Sequence, residues 1–423
     1  MQRRLVSVIS LVALCMIGPA AQAGADAGRP KPPILKSRIQ GATQMFSAPW
    51  GLVAQGSGQL RILPLGTSRW QTVHKVPKGS LYRIAFDDAG RLLAWWEEEP
   101  HFHLFVPGTK EHRTFALPPP PSPEFKYGYG VDDMYFADDG SAIVYMHGFT
   151  GGRTWVTVAY HYDLARGAAP TLLFRQPGHV LHTSARLAVH AVPKDPNSAC
   201  EDNSCYPLGA VIGWEIAGTK ATRRVLLDGD RYKNLSRVQP VWGGEAEQIA
   251  VVVTEHPHRR HLLRWRWGDA RAQFGPVPDG PGYDTETTWL TRAGDVIEVW
   301  LTDERGLEVR RYPPGGKVAI ASLAPLPRRT PNDHPLFNIA GVMERANGDL
   351  ILHWGEYLVL LPRDGAARRL DLRAAFKRKS EIAGRVIYVR APEGVWVGIE
   401  SGKALDLSFL SYADLEARST PAP

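Results

Sequence analysis

Imidazoles and carboxylates recur at corresponding places along this chain. They fall in the segments "WEEEPHFH", "MHGFTGGR", "VHAVPKDPNSACEDNSCYP", "TEHPHRRH", "LTDERG", "HWGEY" and "IESGK". These carry Glu99 and His101, His147, His190, Glu255 and His256, Glu304, His353 and Glu356, and Glu400. Such groups are the usual ligands of divalent metals and the usual acid/base groups of catalysis. A second set, Tyr127 and Tyr129 beside Asp132 and Asp133, offers flat apolar faces next to charge, which suits a sugar or a peptide. The plain alternative is that loop histidines cap strand ends and that the tyrosines pack on neighbouring structure. The binding candidates are therefore Tyr127, Tyr129, Asp132, Asp133, His147, His190, Glu255, His256, His353 and Glu356. No catalytic set, metal site or cofactor is expected. A transition metal needs donors about 2.0–2.3 Å away, and only neighbouring pairs of these rim histidines are expected to meet.

The elements that must position these residues repeat. A turn between two alternating apolar runs recurs at Gly51, Gly90, Gly140, Ala185, Gly244, Gly294, Gly348 and Gly394. Glycine suits such a turn because it takes a positive backbone angle at low cost. After each anchor come a second strand, a loop, a third strand and often a fourth. "RLLAWWEEEPHFHLFVPGTKEHRTFALP" and "DLILHWGEYLVLLPRDGAARRLDL" show the pattern. No segment keeps a helical period, and residues 372–383 make at most a short helix. Four strands per repeat is a propeller blade; sandwiches lack a long repeat, and solenoid repeats are usually shorter. The expectation is an all-β propeller of eight four-stranded blades. The segment "LKSRIQGATQMF" supplies the missing outer strand of the last blade. Seven blades follow if that segment is a separate hook. In such a ring the listed polar segments join second to third strands on one rim.

One repeat carries a resemblance. "YFADDGSAIVYM" followed by "AYHYDLARGAAPTLL" resembles the WD40-like repeat of TolB-type bacterial exported propellers, through Tyr135, Phe136, Asp139, Gly140, Tyr162, Asp163, Leu164 and Gly167. The resemblance is specific for this blade and generic for the others. It implies a propeller used as a binding scaffold and transfers no catalytic residue. In the same blade "GGRTW" is similar to the end of a sialidase Asp-box, but Thr150 stands where the aspartate belongs.

The amino terminus reads as a signal peptide: Arg3 and Arg4, an apolar run from Leu5 to Ile17, then Ala21-Gln22-Ala23, with cleavage expected after Ala23. The run is shorter than a membrane span. Residues 24–43 read as a Pro-rich leader, 44–415 as the propeller and 416–423 as a loose tail. Export to the periplasm or beyond follows. Cys200 and Cys205 would then form a disulfide. Removing Arg3 and Arg4 lowers the formal charge of +7 by two, far from a nucleic-acid footprint. There is no Gly-x-Ser-x-Gly elbow, phosphate loop or His-Glu-x-x-His motif. The basic run "HPHRRHLLRWRW" alternates as an ordinary strand with one solvated face. The reading is an exported, non-catalytic, monomeric propeller with no transmembrane segment and no nucleic-acid partner. It binds a protein or cell-envelope glycan through its loop-rich face. The alternative is a propeller enzyme, a metal-assisted polysaccharide lyase or hydrolase.

Overall fold

In the computed structural model the strands follow one another in fours. The structure describes residues 36–422, apart from 41, 57, 65–66, 76–80, 97–98, 110, 122–124, 151–154, 196–199, 202–203, 206, 233–234, 244–246, 256–258, 279–284, 303–305, 324–338, 355, 364, 376–385, 392–393 and 402–403. Each group of four forms an antiparallel sheet, paired in chain order except in blade 8, whose outer strand comes from the amino-terminal side. The innermost strands of the eight blades are Ala42–Ala48, Leu81–Phe86, Phe125–Phe136, His179–Thr183, Leu235–Gly243, Thr285–Leu290, Ile339–Glu344 and Val386–Ala391. The innermost strands of blades 2 and 3, 4 and 5, 5 and 6, and 6 and 7 touch, and so do those of blades 1 and 8, where the ring closes. Fourth strands face outward, as the exposed run Ala319–Leu323 of blade 6 shows.

The hydrophobic core is divided. Eight buried clusters are present among the described residues, one at each interface between successive blades. The second strand of each blade feeds two of them, because alternate side chains point to opposite faces. Thus Leu92, Ala94 and Trp96 face blade 1, while Leu93 and Trp95 face blade 3. Each fully buried large apolar side chain contributes about 1.5–3 kcal/mol. The cluster between blades 8 and 1, built on Ile39, Leu52, Trp396 and Leu407, establishes eight blades rather than seven.

Lys36–Gln40 pairs with Ala404–Ser411 as the outer strand of blade 8. The propeller therefore begins before residue 44, inside the segment read as leader. The tail is not loose either. Tyr412–Arg418 is a helix capped by Ser411, and Thr420–Pro421 adds a fifth strand to blade 7. The other α-helix, Leu372–Ala375, is one turn, as the sequence suggested. No described helix is long and apolar enough to cross a membrane. Four of the glycine anchors close the same turn: Gly90, Gly140, Gly294 and Gly348 have φ between 79° and 87°. Gly394 serves differently, because a Cβ there would lie 2.2 Å from the Leu410 carbonyl oxygen.

Candidate functional site

The innermost strand of blade 3 places two carboxylates where an alternating strand would place one. Val131 is opposite Met146 and Asp133 is opposite Tyr145, so Asp132 is an extra residue in the ladder. Such a bulge turns a neighbouring side chain to the same side. Asp132 and Asp133 accordingly line one cavity of about 600 Å³ beside the innermost strands of blades 2 to 5. A register shift of this kind occurs in the innermost strand of seven of the eight blades.

Arg83, from blade 2, holds both aspartates: its Nη2 is 3.4 Å from Asp132 Oδ1 and its Nε is 3.6 Å from Asp133 Oδ1. Arg83 also donates to the Asp132 carbonyl oxygen. His147 Nδ1 is 3.2 Å from Asp132 Oδ1, and its ring meets Trp155 edge-on at 4.8 Å. On the blade 4 side, Thr183 Oγ1 donates to Asp133 Oδ2 at 2.7 Å and lies 3.0 Å from the Tyr135 hydroxyl. These partners separate the two carboxyls. Burial pushes Asp132 up, but its bond to His147 and the charges of His147 and Arg83 bring it below its ordinary value. Burial holds Asp133 above its ordinary value, against the Thr183 bond and with the Asp132 charge adding to the rise. Neighbouring carboxyls pushed apart in this way can act as an acid and a base.

Two polar atoms on the cavity wall have no hydrogen-bond partner among the described residues: Thr157 Oγ1 and His182 Nε2. Burial lowers the His182 imidazole to about 4, so its ring is neutral near pH 7. A second cavity of about 650 Å³ lies between blades 2 and 3 and is lined by Pro118, Pro119, Pro120, Tyr82, Trp95 and Tyr129. His147 lines both cavities.

The structure thus brings together Asp132, Asp133 and His147. Tyr129 lies in the second cavity and packs edge-on against Phe125 at 5.4 Å. Tyr127 lies on the same strand, opposite Phe149. The other candidates do not join them. His190 belongs to the second strand of blade 4, fully buried rather than on a loop, and neither ring nitrogen has a hydrogen-bond partner among the described residues. Its ring meets Phe174 edge-on at 6.0 Å. His353 is buried in the second strand of blade 7, and Glu356 is on the turn that follows. Glu255, on blade 5, meets His261 at 3.2 Å; His256 lies outside the described residues. Arg83, Thr157, His182 and Thr183 were not anticipated. The register shift that exposes Asp132 has no sequence mark beyond the paired aspartates. Cys200 and Cys205 are Cα partners across a short hairpin.

No protein-family model matches the sequence, and no curated protein matches it. Among solved structures, the chain is similar to the WD40 domain of SCAP from fission yeast (8% identity, covering 89% of this chain and 96% of that one, TM-score 0.47). It is similar to YCF48 bound to D1 peptide (12% identity, 89% and 96% covered, TM-score 0.46). It is also similar to virginiamycin B lyase from Staphylococcus aureus (12% identity, 79% and 96% covered, TM-score 0.37). The strand pairing described above itself defines the chain as an eight-bladed β-propeller.

Proposed function

We propose that this protein is an exported, non-catalytic propeller of the TolB-like kind that binds, as a monomer, an extended segment of a cell-envelope protein or glycan. The observation that carries the reading is that the two cavities are neighbours, with His147 lining both. A small molecule needs one pocket, whereas a chain of residues or sugars can span a proline- and tyrosine-lined cleft and a polar pocket together. Tyr82 and Tyr129 offer faces for stacking in the cleft. In the pocket, the ionised Asp132 suits amines or hydroxyls. Thr157 Oγ1 and His182 Nε2 would gain partners from the ligand, which offsets their desolvation. Export and the Cys200–Cys205 disulfide belong to the same reading.

The opposed shifts of Asp132 and Asp133 support a second reading, hydrolysis or elimination on a polysaccharide. One experiment tests both. The purified protein is offered arrays of cell-envelope glycan fragments and of basic peptides, and bound material is checked for cleavage. Asp132→Asn should weaken binding at least about tenfold, since a hydrogen bond to a charged group is worth roughly 1.5–3 kcal/mol. Retained affinity in that variant removes the pocket as the binding site. Cleavage that stops in Asp133→Asn while binding persists would replace the first reading with the second.

A further inference from the structure

In blade 2 the third strand begins at His101, and the sequence across its start reads Glu99-Pro100-His101-Phe102-His103. Phe102 points toward blade 3, stacked on Phe115 at 5.2 Å and edge-on to Tyr162 at 4.9 Å. His101 and His103, two apart on the strand His101–Phe105, share the other face, and Glu99, on the segment before that strand, reaches both of them. Glu99 Oε2 is 3.0 Å from His101 Nε2 and 2.9 Å from His103 Nε2, and one donor atom from each of the three lies within 4.8 Å of the others. We propose that these three residues form a site for a divalent transition cation of the zinc class.

The donor set is two imidazoles and one carboxylate, the composition of three-ligand metal sites with an open position. Two donors each about 2.0–2.2 Å from a tetrahedral ion are about 3.3–3.6 Å apart, so an ion needs the two Glu99 contacts to spread slightly and the two imidazole nitrogens, which lie within 4.8 Å of each other, to take the same spacing. The surroundings supply orientation. His103 Nδ1 is 2.8 Å from His112 Nε2. With His103 Nε2 given to a cation, Nδ1–H donates to His112, the outer partner that ligating histidines characteristically have. The His103 side chain is only 6% exposed, packed edge-on to Trp96 at 4.9 Å and stacked on Phe105 at 5.8 Å, so its ring cannot swing away. His74, from the outer strand of blade 1, closes the site with its ring 5.1 Å from that of His112. His101 and Glu99 are partly exposed, which leaves a path for the ion. The three residues are not part of the pocket around Asp132, but Glu99 also lines the second cavity, so the metal titration is done on the ligand-free protein and does not depend on what the pocket binds.

The test uses the whole mature chain without a histidine tag, stripped with chelator and titrated with Zn²⁺ alone by calorimetry. One equivalent is expected. Co²⁺ should give visible d–d absorption of a low-coordinate nitrogen–oxygen site. Glu99→Gln and His103→Ala should each lower zinc affinity more than about a hundredfold, above the 10–100-fold typical of outer partners. His112→Ala, a positioning change, should lower it about tenfold. His261→Ala should leave it unchanged. Glu99→Gln keeps shape, so its metal-free unfolding midpoint should match wild type while zinc no longer raises it. Absence of a stoichiometric zinc site, or zinc affinity unchanged in Glu99→Gln, overturns the proposal.

Discussion

A histidine sealed between two blades destabilises the fold by an amount that depends on pH. His190 is held neutral in the folded chain, its imidazole lowered by burial to about 3. In the unfolded chain an ordinary histidine takes its proton near pH 6.5. Between those values the unfolded state binds the extra proton, so stability is fullest above pH 6.5 and falls as the pH drops toward 3. From pH 7 to pH 5 the loss through His190 is about 2 kcal/mol. His190→Leu removes the proton site and two unpartnered nitrogens at similar volume. The fall in urea unfolding free energy between pH 7 and pH 5 should therefore shrink by about that amount. An equal fall in variant and wild type would show that His190 is not the neutral buried group. The same residue marks a limit of sequence reading. "LAVHAVP" looked like a strand running into a polar loop, but a second strand is covered on both faces, so His190 and His353 lie inside. Asp132 and Asp133 were legible as paired carboxylates beside tyrosines, and His147 as a histidine toward the far end of a second strand, where its side chain is partly exposed. Arg83, Thr157 and His182 were not, because what each of them faces depends on a neighbouring blade.

Among the elements, the bulged inner strand decides what the pocket presents. Asp132 has no partner residue opposite it, and the strand on its two sides keeps Val131 and Met134 buried. A one-residue change of register turns every side chain beyond it to the opposite face. Deleting Asp132 should therefore bring Val131 out of the core between blades 2 and 3, or force the preceding strand to buckle. Uncovering one or two such side chains costs about 1.5–3 kcal/mol each. Asp132→Ala keeps the count of residues and should lose far less. Chemical unfolding of the two variants side by side checks this, and equal stability would mean that the extra residue is absorbed without a register constraint. The strands themselves were readable from alternation and from the recurring glycine turns. The bulges were not, because an alternating pattern with one surplus residue reads equally well as a longer strand.

For the whole molecule, closure of the ring depends on both chain ends. Lys36–Gln40 completes blade 8, and Ile39 is buried against Leu52, Trp396 and Leu407 at the seam with blade 1. Near the carboxyl end, the Ala422 N–H donates to the Ala367 carbonyl oxygen and Arg368 donates to the Glu416 and Ser419 carbonyl oxygens, which ties the tail to blade 7. Under the proposed export, cleavage after Ala23 would leave the closing strand on the mature chain, whereas processing beyond Lys36 would cut into it. The mature protein recovered from the cell envelope should therefore have a mass beginning at Gly24, reduced by two hydrogens for the Cys200–Cys205 bridge. A chain begun at Gly24 should unfold in one transition with the same midpoint as the recovered protein. A chain begun at Ala42 lacks Ile39 and the backbone hydrogen bonds of its strand. Loss of one large buried side chain alone costs about 2–5 kcal/mol, so this chain should melt well below the first. Because the removed strand closes the seam between the first and last blades, the whole transition should move rather than a small early phase appear. An envelope form beginning at Met1, or an unchanged midpoint for the chain begun at Ala42, would contradict respectively the export reading and the role given to the strand.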